Sequence, residues 1–258
     1  MKLTRGFQVG DVMDRLQSNP QAIELAEKCA ACTVKHRAIC GALTKDELNQ
    51  LNKIARRRTI SSGQTIMSDE EPADFVGIVT DGVIKLTKTL SDGRQQIVGL
   101  QFASDFLGRT YNTQNNFCAE AATEVELCSF PRQDFELMLK KFPELENRLF
   151  QNTLDELDAA REWMLLLGRK TAQEKVASLL LMIASRAPNV GCRHAPELEF
   201  ARFTLPLTRA DLADYLCLTL ETVSRQITKL KTKGVIELVD NREIIVPDIK
   251  ALEQVANS

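Results

Sequence analysis

Cys29, Cys32 and Cys40 follow the spacing Cys-x2-Cys-x7-Cys, which brings three thiolates within reach of one centre. A fourth thiolate from a distant segment, such as that of Cys118, could close a four-thiolate shell around an iron-sulfur cluster and tie two parts of the fold together. Zinc is the rival chemistry. His36 lies between Cys32 and Cys40, so Cys29, Cys32, His36 and Cys40 could form a closed Cys3His site without Cys118. Soft thiolates suit both metals, and the spacing does not separate them. Cys128 competes as the distant cysteine but falls inside the strand-like run Val125 to Phe130 and reads as a packing residue. Cys192 and His194 have no partners at ligand spacing.

A second constellation lies near the end of the chain. Thr208-Arg209-Ala210-Asp211 opens a helix with a capping signature, Leu212, Ala213 and Leu216 give it an apolar face, and Cys217-Leu218-Thr219 forms a short turn. The next helix runs from Leu220 to Lys233, with Gly234 as its stop. Val223, Ile227 and Leu230 share one face, while Glu221, Ser224, Arg225 and Thr228 share the opposite one. The second stripe carries side chains that read base edges: arginine as a two-pronged donor to guanine, glutamate as an acceptor from cytosine, serine as a small partner for either. Lys229, Lys231 and Lys233 are placed for phosphates. Val235 to Leu238 and Glu243 to Val246 predict a hairpin, so the unit reads as a winged helix-turn-helix that binds double-stranded DNA.

These groups need elements to position them. Thr44-x-x-Glu47 caps a short helix carrying Leu48, Leu51 and Ile54. Short β-rich runs follow at Gln64 to Met67, Phe75 to Thr80, Val83 to Leu90, Gln95 to Phe102 and Val125 to Phe130, with Asp81-Gly82 and Asp92-Gly93 as hairpin turns. That rhythm predicts an antiparallel β-roll, jelly-roll-like, which Pro131 closes. After Pro143, Phe150, Leu157 and Met164 recur every seven residues, as do Thr153, Ala160 and Leu167, the a/d seam of a self-associating helix. Asp155, Glu156, Asp158 and Glu162 crowd that helix and would make the dimer marginal. A helix from Thr171 to Ser185, a loop from Pro188 to Pro196 and a strand around Phe200 to Leu205 lead to the DNA-reading unit. Asp11 to Leu16 and Gln21 to Lys28 are expected as short helices.

The fold class is therefore α+β, in four parts: a cysteine-containing segment at 1–41, a roll at 42–142, a dimer helix at 143–168 and a winged helix at 169–258. At 44% apolar and 26% charged residues the composition is that of a globular protein, and its longest apolar stretch, Val176 to Ala184, is too short to span a bilayer. No secretory h-region follows Lys2 and Arg5, so a cytoplasmic location is expected, and seven cysteines there read as thiols or ligands rather than disulfides. An enzyme is not expected: there is no G-x-G-x-x-G after a strand, no P-loop and no G-x-S-x-G, and only His36 and His194 could serve as imidazole bases.

The segment from Leu207 to Arg225 closely resembles the helix-turn-helix of the CRP/FNR family of bacterial regulators, and the order of roll, long helix and winged helix is similar to that family's over residues 42 to 250. Glu221-x-x-Ser224-Arg225 looks like the E-x-x-S-R triplet of the FNR branch. The resemblance implies that Cys29, Cys32, Cys40 and Cys118 hold an oxygen-labile [4Fe-4S] cluster, Cys118 being taken from the family position before the last strands of the roll. It further implies a homodimer, a TTGAT-N4-ATCAA-like palindrome and contact with RNA polymerase. The seven residues between Cys32 and Cys40 are similar to the FnrN/FnrL-type subgroup. Two departures matter. Cys217 stands where the family usually has glycine and is expected to pack as a small hydrophobe. Phe106 to Asn112 lack the glutamate and the downstream Arg-Ser that hold a cyclic nucleotide, so none is expected.

Overall fold

The computed structural model describes residues 29, 32–186, 199–240 and 242–258. The helices expected at Asp11 to Leu16 and Gln21 to Lys28, the Pro188 to Pro196 loop, Cys192 and His194 lie outside the described residues.

Helix α1 (Lys45–Ile54) starts at Thr44, whose hydroxyl accepts from the Glu47 amide while the Glu47 carboxylate accepts from the Thr44 amide. This reciprocal cap satisfies donors that the first turn cannot pair. Eight strands follow: β1 (Arg56–Ile60), β2 (Thr65–Met67), β3 (Phe75–Asp81), β4 (Ile84–Thr89), β5 (Gln95–Gln101), β6 (Phe106–Leu107), β7 (Cys118–Ala121) and β8 (Val125–Pro131). They form two four-stranded antiparallel sheets, ordered β1-β8-β3-β6 and β2-β7-β4-β5. The antiparallel roll is thus observed.

Alternation along the strands decides what fills it. Val125 and Leu127 of β8, Val79 of β3, Ile84 of β4 and Ala119 and Ala121 of β7 point between the sheets into one core. Glu126, Cys128 and Phe130 turn the other way, where Phe130 joins Ile78, Phe106, Leu51 and Phe135 in a second core beneath α1 and α2 (Arg132–Lys141). The Phe135 ring lies 5.5 Å from that of Phe106 and 5.4 Å from that of Phe130. Gly82 turns β3 into β4 at φ +85°, and a Cβ there would lie 2.1 Å from the Glu124 carbonyl oxygen, so only glycine fits.

Helix α3 (Pro143–Arg169) begins with proline at its first turn, where the missing N–H costs nothing. Only Leu145 is fully buried along its 27 residues. Helix α4 (Ala172–Arg186), strand β9 (Ala201–Thr204), helices α5 (Arg209–Leu216) and α6 (Leu220–Thr232), strands β10 (Glu237–Leu238) and β11 (Glu243–Val246) and helix α7 (Ile249–Ala256) complete the chain. β10, β11 and β9 pair in that order as a wing. The core of this unit runs from Val176 and Leu180 through Leu216, Val223 and Ile227 to Leu252, and Val83, Ile97 and Phe102 of the roll are buried in it. Among the described residues no helix is long and apolar enough to cross a membrane.

Candidate functional site

The DNA-reading pair is built as its local sequence dictates. The Thr208 hydroxyl accepts from the Asp211 amide, and the Asp211 carboxylate accepts from the Thr208 amide, so α5 carries a complete capping box. The buried Lys175 of α4 donates from Nζ to the Leu216 carbonyl oxygen at 3.4 Å, pairing an acceptor at the far end of α5. Cys217 ends that helix at φ +52°, ψ +49°, the left-handed region. Its side chain is exposed, and Gln96 Nε2 on the roll lies 3.1 Å from its sulfur. The expected packed hydrophobe is therefore corrected: left-handed backbone swings Cβ out of the turn, where an ordinary side chain tolerates a conformation that glycine adopts more cheaply.

Helix α6 opens at Thr219, whose hydroxyl accepts from the Thr222 amide. Val223, Ile227 and Leu230 are buried, whereas Glu221, Arg225, Thr228, Lys229 and Lys231 are exposed and Ser224 is half-buried. The two stripes read from the sequence are thus the packed and the offered faces. The Glu221 carboxyl is held below the usual range by backbone N–H donation at the helix start and by Thr219. The Thr228 hydroxyl donates to the Ser224 carbonyl oxygen at 3.0 Å, which leaves its methyl group and lone pairs outward. Thr208 is exposed; Arg209 is half-buried, and its guanidinium is shifted down by burial. Gly234 takes φ +71° past the end of the helix, and the Val235 amide returns to the Leu230 carbonyl oxygen.

The α3 seam stands open to solvent. Phe150 is 57% exposed, Leu157 45% and Met164 58%; Thr153 and Ala160 are exposed and Leu167 is half-buried. Large apolar groups repeating along one helix face without cover mark an association surface. Leu154 and Leu165, also exposed, widen the stripe beyond the six residues read from the sequence. The acids are not all uncompensated, since Arg161 pairs with Asp158 at 2.8 Å.

At the cysteines the structure departs from the expected set. Cys29, Cys32 and Cys40 line one small cavity with Asn52 and Ile78, and the distant cysteine in that lining is Cys128. Cys118 lies on β7 in the other sheet, opposite Thr87 of β4. The structure sets Cys118 apart from the other three: Ala119 and Ala121 take the inward positions of β7, so Cys118 faces outward on the sheet remote from the cysteine segment. Cys128 alternates with the inward Val125 and Leu127 and so faces the segment. His36 is exposed and absent from that lining, which disfavours the Cys3His arrangement.

Burial pushes the Cys40 thiol up to about 12, helped by Cys32 and Cys29. Cys128 is also pushed up to about 12, by burial first and then by Cys29 and Cys40, with Arg57 opposing. Cys29 is raised by burial and Cys32, against Arg57, Asn52 and Lys35. The cavity holds about 20 Å³, and among the described residues no three metal-binding side chains converge on one point. The donor set, four thiols with Lys35 and Arg57 at their edge to offset negative charge, nevertheless suits a soft, anionic metal centre.

That segment also touches α3. Ile39 is fully buried with Leu145 and Leu149, Arg148 donates to the Arg37 carbonyl oxygen at 3.2 Å, and Cys40 packs against the same cluster. A Cβ on Gly41 would lie 2.6 Å from the Lys35 carbonyl oxygen, so this tight return past the cysteines depends on glycine.

Residues 57–142 match the cyclic nucleotide-binding domain family and residues 174–255 the Crp-like helix-turn-helix domain family. A probable transcriptional activator of Rhizobium leguminosarum bv. viciae is 48% identical over 89% of this chain and 93% of its own length. The chain belongs to the CRP/FNR family of transcription regulators. Another relative of this regulator, the transcriptional activator protein FnrL of Cereibacter sphaeroides, is 46% identical over 88% of this chain and 91% of its own. The solved structure of FixK2 from Bradyrhizobium japonicum superimposes with a TM-score of 0.69 at 32% identity, covering 78% of this chain and 97% of that one. As a member of this family the chain is a DNA-binding regulator and not an enzyme.

Proposed function

We propose that this regulator is an oxygen-responsive transcription activator that carries a [4Fe-4S] cluster on Cys29, Cys32, Cys40 and Cys128, dimerises through α3 and binds a TTGAT-N4-ATCAA-like palindrome under anaerobic conditions. The observation that carries the reading is the placement of Cys128 by β8 in the same pocket as the three closely spaced cysteines. When bound, the cluster supplies an oxygen-labile centre whose loss is the signal.

The chain's own residues do the rest. Four thiols would give up their protons to become ligands, and a bound metal would offset the burial that raises Cys29, Cys40 and Cys128. The Cys40 turn rests on Leu145, Arg148 and Leu149, one turn before Phe150 opens the seam. Moving the cysteine segment therefore moves the start of the dimer helix. A switch from 1:99 to 99:1 dimer needs roughly 5.5 kcal/mol of preference for one state. The seam joins two copies about a two-fold axis, which sets two α6 helices into successive major grooves about 10 base pairs apart.

Other parts of the reading rest on single features. The interior of the roll is filled by Met67, Leu107 and Leu127, and Phe106 to Asn112 lack the residues that grip a cyclic phosphate, so no cyclic nucleotide is expected. The β4–β5 hairpin tip, with Leu90 56% exposed, offers a surface for RNA polymerase. A cytoplasmic location follows from the thiol chemistry.

Iron and acid-labile sulfide assayed after anaerobic purification test the proposal. About four of each per chain, with absorbance that bleaches in air, is the expected result; a colourless protein with one zinc per chain would overturn it.

A further inference from the structure

Asn52 lines the cysteine pocket with a polar side chain whose hydrogen-bonding capacity is only half used. It sits on α1 at 4% exposure; its Oδ1 accepts from Cys29 Sγ at 2.7 Å, and its Nδ2 is buried without a hydrogen-bond partner. Buried donors are seldom left unpaired, and one aimed into a ligand pocket calls for an acceptor that arrives later. A thiolate bound to metal is an acceptor alone, and Oδ1 facing it would be repelled. Half a turn about the last side-chain torsion, which is broad and two-fold in asparagine, exchanges Oδ1 for Nδ2 without moving the helix.

We propose that Asn52 is a positioning residue for the metal centre: with the cluster bound, its Nδ2 donates to the Cys29 thiolate, and this N–H···S bond sets how readily the cluster yields an electron. The inference rests on the cluster reading above. A hydrogen bond to a ligand sulfur draws negative charge away from the metal and favours the more electron-rich state, so it raises the reduction potential. Oxidation, in which one electron leaves the cluster and dioxygen becomes superoxide, is slowed accordingly. Lys35 and Arg57 add positive charge at the pocket edge, but Asn52 is neutral and almost wholly enclosed, so its effect is directional and local.

The test compares full-length wild type with Asn52→Leu, which keeps bulk and removes the amide, Asn52→Ala, which removes it without adding bulk, and Asn52→Gln, which restores an amide on a longer arm. Iron and sulfide are assayed anaerobically, followed by reduction potential, bleaching in air and resonance Raman spectra in light and heavy water. Wild type should show a deuterium shift in the iron–thiolate stretch that Leu and Ala reduce. Both variants should have lowered potentials and bleach about fivefold faster, the scale of one ordinary net hydrogen bond. Gln should recover part of each effect. Loaded Leu and Ala variants with wild-type potential, bleaching and spectra would overturn the proposal and leave Asn52 as a partner of the Cys29 thiol alone. Leu and Ala variants that lose both fold and iron would overturn it too, marking Asn52 as structural; loss of iron with an unchanged melting temperature would support it. A wild type without iron and sulfide sinks the cluster reading itself, and it does so before any variant is compared.

Discussion

Lys85 Nζ on β4 stands 2.9 Å from Asp211 Oδ1 in the capping box of α5, and the same ammonium reaches Glu120 Oε1 at 2.8 Å. One lysine therefore joins the roll to the first helix of the DNA-reading pair. Its side chain is 12% exposed and that of Asp211 17%, so solvent screens the bridge poorly. Arg186 with Asp105 at 2.8 Å and the Trp163 and Tyr215 rings at 5.6 Å add further ties between the DNA-binding unit and the rest of the chain.

Removing Lys85 should loosen this dock. Lys85→Met leaves two acids facing each other and is expected to cost about 1–3 kcal/mol, read as a lower midpoint in denaturant. The pH dependence follows from both partners. Burial works to lower Lys85, yet hydrogen bonds to Glu120 and Asp211 prevail and raise it, so its contribution is complete below the ordinary lysine range and fades as pH rises through the higher folded value. Burial works to raise Asp211, but Thr208 and Lys85 lower it, so its contribution is complete above the ordinary carboxylate range and fades as pH falls through the folded value. The wild-type excess over Lys85→Met should hold between about pH 5 and 10 and shrink outside it. A constant difference down to pH 2 would refute the assignment.

The cysteine set gives a contrast between two single variants. Cys128→Ala should abolish iron binding in anaerobic protein, whereas Cys118→Ala should keep the colour, because its sulfur lies on the far sheet. Iron content of the two variants decides it. The reverse pattern would restore Cys118 as the ligand.

Elements are legible in this sequence where strong local rules operate. The capping boxes at Thr44 and Thr208 and the stripes of α6 were legible because each rests on side chains three or four residues apart. Strand β1, Arg-Arg-Arg-Thr-Ile, escaped notice because an exposed edge strand carries charges like those of a loop. Helix α2 is less legible because it starts directly after Pro131 without a side-chain cap, although Phe135 and Leu139 sit at helical spacing beyond it. Strand β7 is equally hard to read. With only Ala119 and Ala121 turned inward it lacks the β-branched run of a core strand, and without it Cys118 could be placed next to the cysteine segment. The signal that would have found Cys128 lay in β8: if Val125 and Leu127 face the roll interior, a period of two puts Cys128 on the outer face.

The α3 seam predicts an association phenotype separable from folding. Leu157→Glu or Met164→Glu should abolish the dimer and with it tight DNA binding, while changing the stability of the monomer by within about 0.5 kcal/mol, since both side chains are exposed in the single chain. Sedimentation and thermal melting on the same samples separate the two effects. A dimer that survives both substitutions would place the interface elsewhere.

Base readout by α6 yields the last prediction. Arg225 is exposed on the offered face, with Glu221 one turn before it and Ser224 beside it. If the guanidinium makes a two-pronged contact to the half-site guanine, Arg225→Ala should cost about 1–3 kcal/mol per half-site and lose discrimination at that base pair. Glu221 carries its charge firmly, because backbone donors and Thr219 hold its carboxyl low. Near phosphates that charge is repelled unless a cytosine amino group meets it, so Glu221→Ala should relax preference at one position while barely changing non-specific affinity. Lys231 differs in kind: a phosphate contact carries no sequence information, and Lys231→Ala should weaken all sites alike and lower the salt slope by about one unit. Titration of single-base variants of the palindrome at several salt concentrations, with the protein kept anaerobic, measures all three. Unchanged base preferences in both Arg225→Ala and Glu221→Ala would mean that another surface reads the DNA.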